Sequence, residues 1–304
     1  MGALETVTVA MVAGALRVST PFLFVSLGEC LTERSGRINL GNEGVLVLGA
    51  MVAYATSYHT GNPWLGVVAG AIAGALLGAV HGGVCSLARV NDVAMGIAIM
   101  LAGTGIAFFF GKPYVQPVAP QLPRLPLGFW ASAPPVKSAL SVSPLFFIGL
   151  AAAFAMHWFF RATRMGLRVR IVGDSADAAR ALGLSIDRIR LFATAAGSAL
   201  AGIGGAFLSL SYPGSWNEGL SSGQGLMAVA LVVFARWNPL NCVIAALIFG
   251  AAGALGPSLQ TVGVTKGYYL FYAAPYVVTL VILAATVRPG RALRGMPGEL
   301  SIGR

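Results

Sequence analysis

Nine apolar runs of membrane-spanning length succeed one another along this chain, at roughly 7–28, 40–57, 63–88, 93–111, 143–160, 189–210, 223–236, 239–257 and 268–287. A helix needs about 20 mostly apolar residues to cross the hydrocarbon layer, where no water is present to satisfy a free backbone group. The seventh run is short enough to be a broken helix. Of the 304 residues, 57% are hydrophobic and only 10% charged, against about 25% charged in a soluble domain. The expectation is one all-α domain over 1–304, a polytopic transmembrane helical bundle of about nine spans, with eight to ten possible.

The breaks between runs carry turn chemistry: Gly61-Asn62-Pro63, Asn91-Asp92, Trp237-Asn238-Pro239 and Arg288-Pro289-Gly290. The longest charged interval is 161–190, with Arg161, Arg164, Arg168, Arg170, Arg180, Arg188 and Arg190. Lys and Arg resist translocation, so this loop should face the cytoplasm. Alternating from there puts Arg34, Arg37, Arg89, Arg236, Arg288, Arg291, Arg294 and Arg304 inside as well. Lys112, Arg124, Lys137 and Lys266 fall outside, and Arg17 falls within the first run. The N-terminus is then external and the C-terminus cytoplasmic. A net charge of +10 is explained by this orientation signal, and nucleic acid is not an expected partner.

Segment 112–142 holds Pro113, Pro117, Pro120, Pro123, Pro126, Pro134 and Pro135, with Phe129 and Trp130 between them. That density forbids a continuous helix. It reads as an external loop with a short interfacial piece at 127–131, either a passive connector or a docking surface for an external partner. Gly66, Gly70, Gly74, Gly78 and Gly82 recur every fourth residue and line one helix face, where a second backbone can approach closely. Gly197, Ala201 and Gly205 repeat the device.

The polar cluster LGECLTERSGRINLGNEG carries Glu29, Glu33, Arg34, Arg37, Asn39, Asn42 and Glu43. Asn42 and Glu43 stand where a helix begins, so one reading is capping of that helix. The other is a polar break beside a transport pathway, with Asn39, Asn42 and Glu43 as its residues. Gly219-Leu220-Ser221-Ser222-Gly223 fits the serine-nucleophile string, and His81 or His157 would complete an intramembrane hydrolase. The elbow needs a strand-to-helix turn, which this sequence does not offer; a loop opening a helix is expected instead. His81 reads as a packed, hydrogen-bonded imidazole and His157 as interfacial. Cys30, Cys85 and Cys242 are isolated and read as small buried hydrophobes, with no metal spacing. The sequence has no phosphate-binding loop, and its spans offer no convincing mid-span carboxylate for ion coupling. Energy for uphill transport should therefore come from a partner. A partner-independent transporter or channel for small neutral solutes is the alternative.

Three blocks taken together resemble a known family. LGECLTERSGRINLGNEGVLVLGA looks like a motif of the membrane permease subunits of ATP-binding-cassette importers for nucleosides and simple sugars. MGLRVRIVGDSADAARALGLSIDRIR is similar to their cytoplasmic signature, matching it at Gly166, Arg170, Gly173, Ala178, Ala179 and Gly183. VALVVFARWNPL resembles a third motif through Trp237 and Pro239. Asp174, Ser175 and Ile171 depart from the usual pattern. Asn39-Leu40-Gly41 leans towards the nucleoside branch. The resemblance implies a non-enzymatic, multi-pass subunit of the bacterial plasma membrane that holds no cofactor of its own. Its implied partners are cytoplasmic ATPase subunits binding ATP and Mg, a second permease chain (related or identical), an extracytoplasmic substrate-binding protein and membrane lipid. It also implies a coupling segment of Gly166, Gly173, Asp174, Ser175, Ala178, Ala179, Ala181, Leu182 and Gly183. A short helix near 175–182, capped by Asp174 or Ser175 and closed by Gly183, would sit in a groove on the ATPase.

Overall fold

The computed structural model describes residues 3–126, 141–260, 271, 273–286 and 295–301. The interfacial piece expected at 127–131, Pro134, Pro135, Lys137, Lys266, Arg288, Arg291, Arg294 and Arg304 lie outside the described residues.

Helices α1 (Ala3–Arg34), α2 (Asn42–Thr60), α3 (Pro63–Val84) and α4 (Asp92–Gly111) come first. A 3-10 turn at Lys112–Tyr114 and a short antiparallel pairing of β1 (Leu125–Pro126) with β2 (Ser141–Val142) follow. Then come α5 (Pro144–Ala162), α6 (Arg164–Asp174), α7 (Ala176–Ala181), α8 (Ile186–Leu210), α9 (Gln224–Phe234), α10 (Pro239–Gln260), α11 (Ala274–Thr286) and α12 (Gly298–Ser301). The punctuation acts as expected at several starts. Asn62 accepts from the Trp64 N–H, Asn91 from those of Val93 and Ala94, and Ser143 from that of Leu145.

Among the described residues, six helices are long and apolar enough to cross a membrane: Met11–Arg34, Pro63–Val84, Asp92–Tyr114, Pro144–Ala162, Ile186–Leu210 and Pro239–Gln260. α2 has comparable length but polar ends, and α9 has only 11 residues. The bundle is therefore all-α and multi-pass, with six helices of clear spanning length among the described residues; the ninth apolar run, 268–287, is described only in part.

Two ends are defined by contacts. At the basic end, Arg37 pairs with Asp92 at the start of α4 (2.9 Å), Arg190 near the start of α8 donates to the Ser35 carbonyl, and Arg34 donates to the Trp237 carbonyl after α9. At the opposite end, Tyr54 and Ser57 of α2 donate to the carbonyls of Pro117 and Pro120, and Leu122 N–H bonds the last carbonyl of α8. Residues 117–122 of the proline-rich stretch are thus laid down on the bundle, with Ala119 and Leu122 buried.

α8 is the hub. On α3, a side chain at Gly74 would run into the Ser198 backbone of α8, and one at Gly78 would meet Ser198 and the Thr194 carbonyl. Gly66 faces the Ala53 carbonyl of α2, Gly70 the carbonyls of Gly49 and Gly202, and Gly82 lies against Leu191. The second stripe serves other neighbours: Gly197 abuts the Gly28 carbonyl of α1 and Gly205 the Leu46 carbonyl of α2. Three helices therefore touch α8 backbone to backbone, which small residues alone permit.

Two expectations are corrected. The first span does not stop near 28; α1 continues to Arg34 and carries Glu29 and Glu33 inside, at 0% and 2% exposure. Glu and Arg are good helix formers, and no Gly or Pro falls between Glu29 and Gly36, whose φ is +85°. Likewise 161–190 is not a loop with one small helix. α6 precedes that helix, started by Thr163, whose hydroxyl accepts from Gly166 N–H at 3.0 Å, and anchored by buried Val169 and Val172 at helical spacing.

Candidate functional site

The three sequence blocks meet at the basic end. Trp237 donates its indole N–H to the buried Glu33 carboxylate, while Arg34 Nε donates to the Trp237 carbonyl at 2.9 Å. These bonds hold a strained turn, since Arg236 and Trp237 both have left-handed φ angles, +52° and +54°. Each such non-glycine residue costs about 1–2 kcal/mol, so the turn needs the partners it has. Asn238 then starts α10 by accepting from Leu240 N–H. Gly173 of the second block lies against the Arg34 carbonyl so closely that any side chain would overlap it.

The segment expected to couple, 166–183, contains two short helices, α6 and α7. Ser175, not Asp174, caps α7, accepting from Ala178 N–H at 3.2 Å; Asp174 is the last residue of α6 and exposed. Gly183 closes the helix at φ +70°, with its N–H bonded to the Arg180 carbonyl. Gly166 is required by the tight entry to α6, where a side chain would strike the Phe159 carbonyl. Ala179 differs from expectation. It is fully buried among the protein's own apolar side chains and so faces inward. Ala178, Ala181 and Leu182 are exposed, Leu182 at 65%.

A second polar cluster lies deeper. The Glu29 carboxylate accepts from Asn39 N–H at 2.9 Å and from Asn42 Nδ2 at 2.6 Å. Asn39 Nδ2 donates to Asn42 Oδ1 and to Ser198 Oγ on α8, and His81 Nδ1 lies 2.7 Å from Asn39 Oδ1. Asn39 and Asn42, expected from the sequence to be pathway amides, have 0% and 1% exposure here. In this conformation they brace α1, α3 and α8. His81 is the packed, hydrogen-bonded imidazole expected of it. Glu29 lies five residues before the end of α1 rather than at mid-span, and its carboxyl oxygens are met by amides from the turn and α2.

Glu43 caps a helix, but not its own. α2 starts at Gly41 with no side-chain cap. Glu43 instead accepts from Gly223 N–H at 3.0 Å, Gly225 N–H at 2.7 Å and Ser221 Oγ, closing the N-terminus of α9. A carboxylate there answers both the free N–H groups and the positive end of the helix dipole. Gly44, its neighbour, rests on Ile99 and Met100, midway along α4. At 1.5 Å per residue α9 spans about 16 Å, half of a hydrocarbon layer of about 30 Å. So α9 is a half-helix that starts partway down the bundle and ends at the basic end. The residues leading into it, Asn217, Glu218, Gly219 and Ser222, are exposed. Ser221 is hydrogen-bonded to an acid in a turn with no preceding strand, which is not the geometry of a nucleophile elbow.

The three cysteines are buried. Burial, and then the neighbouring Asp92, push the Cys85 thiol up to about 12, so it remains a thiol at neutral pH.

The fold is that of a multi-pass membrane protein whose helices close on one central span. Comparison with known proteins makes the class specific: residues 11–286 match the family described as the permease component of the branched-chain amino acid transport system, and the chain belongs to that family. It is 33% identical to a putative glucose ABC transporter permease protein of Haloferax volcanii, covering 94% of each chain. It is 27% identical to a nucleoside ABC transporter permease protein of Lactococcus lactis over 90% of this chain and 91% of the relative. With a guanosine ABC transporter permease protein of Bacillus subtilis the identity is 28%, over 93% and 92%. These relatives are transport components rather than enzymes.

Proposed function

We propose that this chain forms one half of the translocation pathway of an ATP-binding-cassette importer for nucleosides or related simple sugars, in a bacterial plasma membrane. The observation that carries this reading is α7. Its back is fixed to the chain by buried Ala179, while Ala178, Ala181 and Leu182 present a slim, exposed face at the end where the arginines gather. A separate ATPase, binding ATP and Mg, docks there on the cytoplasmic side. A second permease, related or identical, completes the pathway. An extracytoplasmic binding protein delivers substrate to the opposite end, where residues 117–122 are packed.

On the pathway side, Glu43 and the exposed residues before α9 offer polar groups at membrane depth, while Asn39 and Asn42 are buried beside Glu29. Half-helices with an N-terminus inside the membrane recur at the binding sites of other transporters. Nucleosides are favoured over free sugars by Asn39-Leu40-Gly41 and by the names of two relatives; the relative named for glucose supports a sugar. Uptake into proteoliposomes holding permease, ATPase and binding protein tests this. ATP-driven uptake of guanosine, competed by other nucleosides and not by glucose, is expected. Glucose uptake without competition by nucleosides would reverse the substrate assignment.

A further inference from the structure

The last described segment, residues 295–301, lies outside the three blocks in sequence, yet its one acid sits against α7. Glu299 Oε1 accepts from the Ala176 N–H, the first of α7, at 2.7 Å. Glu299 Oε2 accepts from Arg190 Nη2 of α8 at 3.0 Å. The two side chains are only 21% and 16% exposed. Arg190 also donates from Nε to the Ser35 carbonyl at 3.1 Å, just after α1. The surroundings are shaped to seat this carboxylate. A side chain at Gly298 would overlap the Asp174 carbonyl, and Gly36, at φ +85°, leaves room for Glu299 Cβ and the Arg190 guanidinium. One carboxylate thus joins the tail, the coupling helix, the central span and the turn after α1.

We propose that Glu299 is the positioning residue that makes α7 and α8 move as one body, so that displacement of the coupling helix reaches the central helix of the pathway. The inference rests on the proposed docking of an ATPase at α7. The covalent link between α7 and α8, 182–185, ties the C-terminal end of the short helix to α8, whereas its N-terminal end is joined through Ser175 to α6 and has no covalent tie to α8. Glu299 fixes its N-terminal end to Arg190, and the pair is charge-assisted and largely shielded from water, where such bonds are strongest. α8 in turn touches α1, α2 and α3 backbone to backbone, so what moves α8 moves the wall of the bundle.

The test uses the reconstituted complex of permease, ATPase and binding protein, with guanosine and glucose supplied separately as substrates. Substrate moved per ATP hydrolysed is compared for wild type, Glu299→Ala, Arg190→Ala and the double variant. The expected result for Glu299→Ala is normal co-purification with the ATPase, continued ATP hydrolysis, and at least a tenfold fall in substrate moved per ATP. Arg190→Ala should fall similarly and the double variant no further, because both remove one link. Glu299→Gln, which keeps an acceptor for Ala176 N–H but loses the ion pair, should be intermediate. An unchanged ratio in Glu299→Ala, or losses that multiply in the double variant, would overturn the proposal. If either alanine variant is poorly assembled, Glu299→Gln decides, because it keeps the acceptor for Ala176 N–H and removes only the ion pair to Arg190: a fall in substrate moved per ATP is expected, and a wild-type ratio would overturn the proposal. Failure of wild-type permease to bind an ATPase would instead remove the coupling reading on which the inference rests.

Discussion

Glu33 accepts the indole N–H of Trp237 across 204 residues of sequence, and both groups are buried. The bond fastens the end of the first helix to the turn between α9 and α10. It joins the first and third sequence blocks in space. Replacing Trp237 with Phe keeps the ring but leaves a buried acid without this donor. An unsatisfied buried polar group costs about 1–3 kcal/mol. The expected result is a lower unfolding temperature in detergent for Trp237→Phe, with a smaller added loss when Glu33→Gln is combined with it. Fully additive losses would show that the two side chains are independent.

The helix that carries the glycine stripe also carries a control outside it. Gly74 faces the Ser198 backbone, whereas Gly83, on the same helix, has nothing near a would-be side chain. Gly74→Ala should destabilise by about 1–3 kcal/mol through overpacking. Gly83→Ala should be neutral or stabilising by up to about 1 kcal/mol, from helix propensity alone. Thermal unfolding followed by size-exclusion chromatography distinguishes them.

Glu43 should matter more than the serine it touches. Removing Ser221 Oγ deletes one bond to the acid; Glu43→Ala uncaps α9 altogether. A lost N-terminal cap costs about 0.5–2 kcal/mol. Ser221→Ala and Ser222→Ala should both retain most transport, while Glu43→Ala loses stability and transport together. Loss of all activity in one serine variant with normal assembly would revive the hydrolase reading.

Orientation can be read with a membrane-impermeant thiol reagent. Asp177, with 93% of its side chain exposed, lies at the basic end, and Val118, 81% exposed, lies at the other. In intact cells Val118→Cys should label and Asp177→Cys should not; in inverted vesicles the pattern should reverse. Labelling of both from one side would contradict the arginine-based topology.

Much of this architecture is legible in the amino-acid sequence. Apolar runs and turn residues locate most helices, because a spanning helix needs length and apolarity that composition reveals directly. The stripe at Gly66–Gly82 announces a close approach, though not that α8 is the partner, since spacing on one helix names no neighbour. The polar residues are harder. Glu29 and Glu33 read as loop residues because their partners, Asn39, Asn42 and Trp237, are supplied by tertiary contact. Glu43 reads as the cap of its own helix for the same reason. Ala179 looks like part of an outward face because a six-residue helix has too few turns for periodicity to show which side is buried. Glu299 has one faint signal, being the only acid after Glu218. Its role depends on where the tail returns, which local pattern does not encode.

The central claim is that α7 is the docking element for an ATPase, and Leu182 tests it most directly. Its side chain is exposed and makes little contribution to the fold, so Leu182→Asp should leave expression, insertion and thermal stability unchanged. The account predicts that this variant no longer co-purifies with the ATPase and loses ATP-driven uptake. Wild-type association and uptake in Leu182→Asp would contradict it.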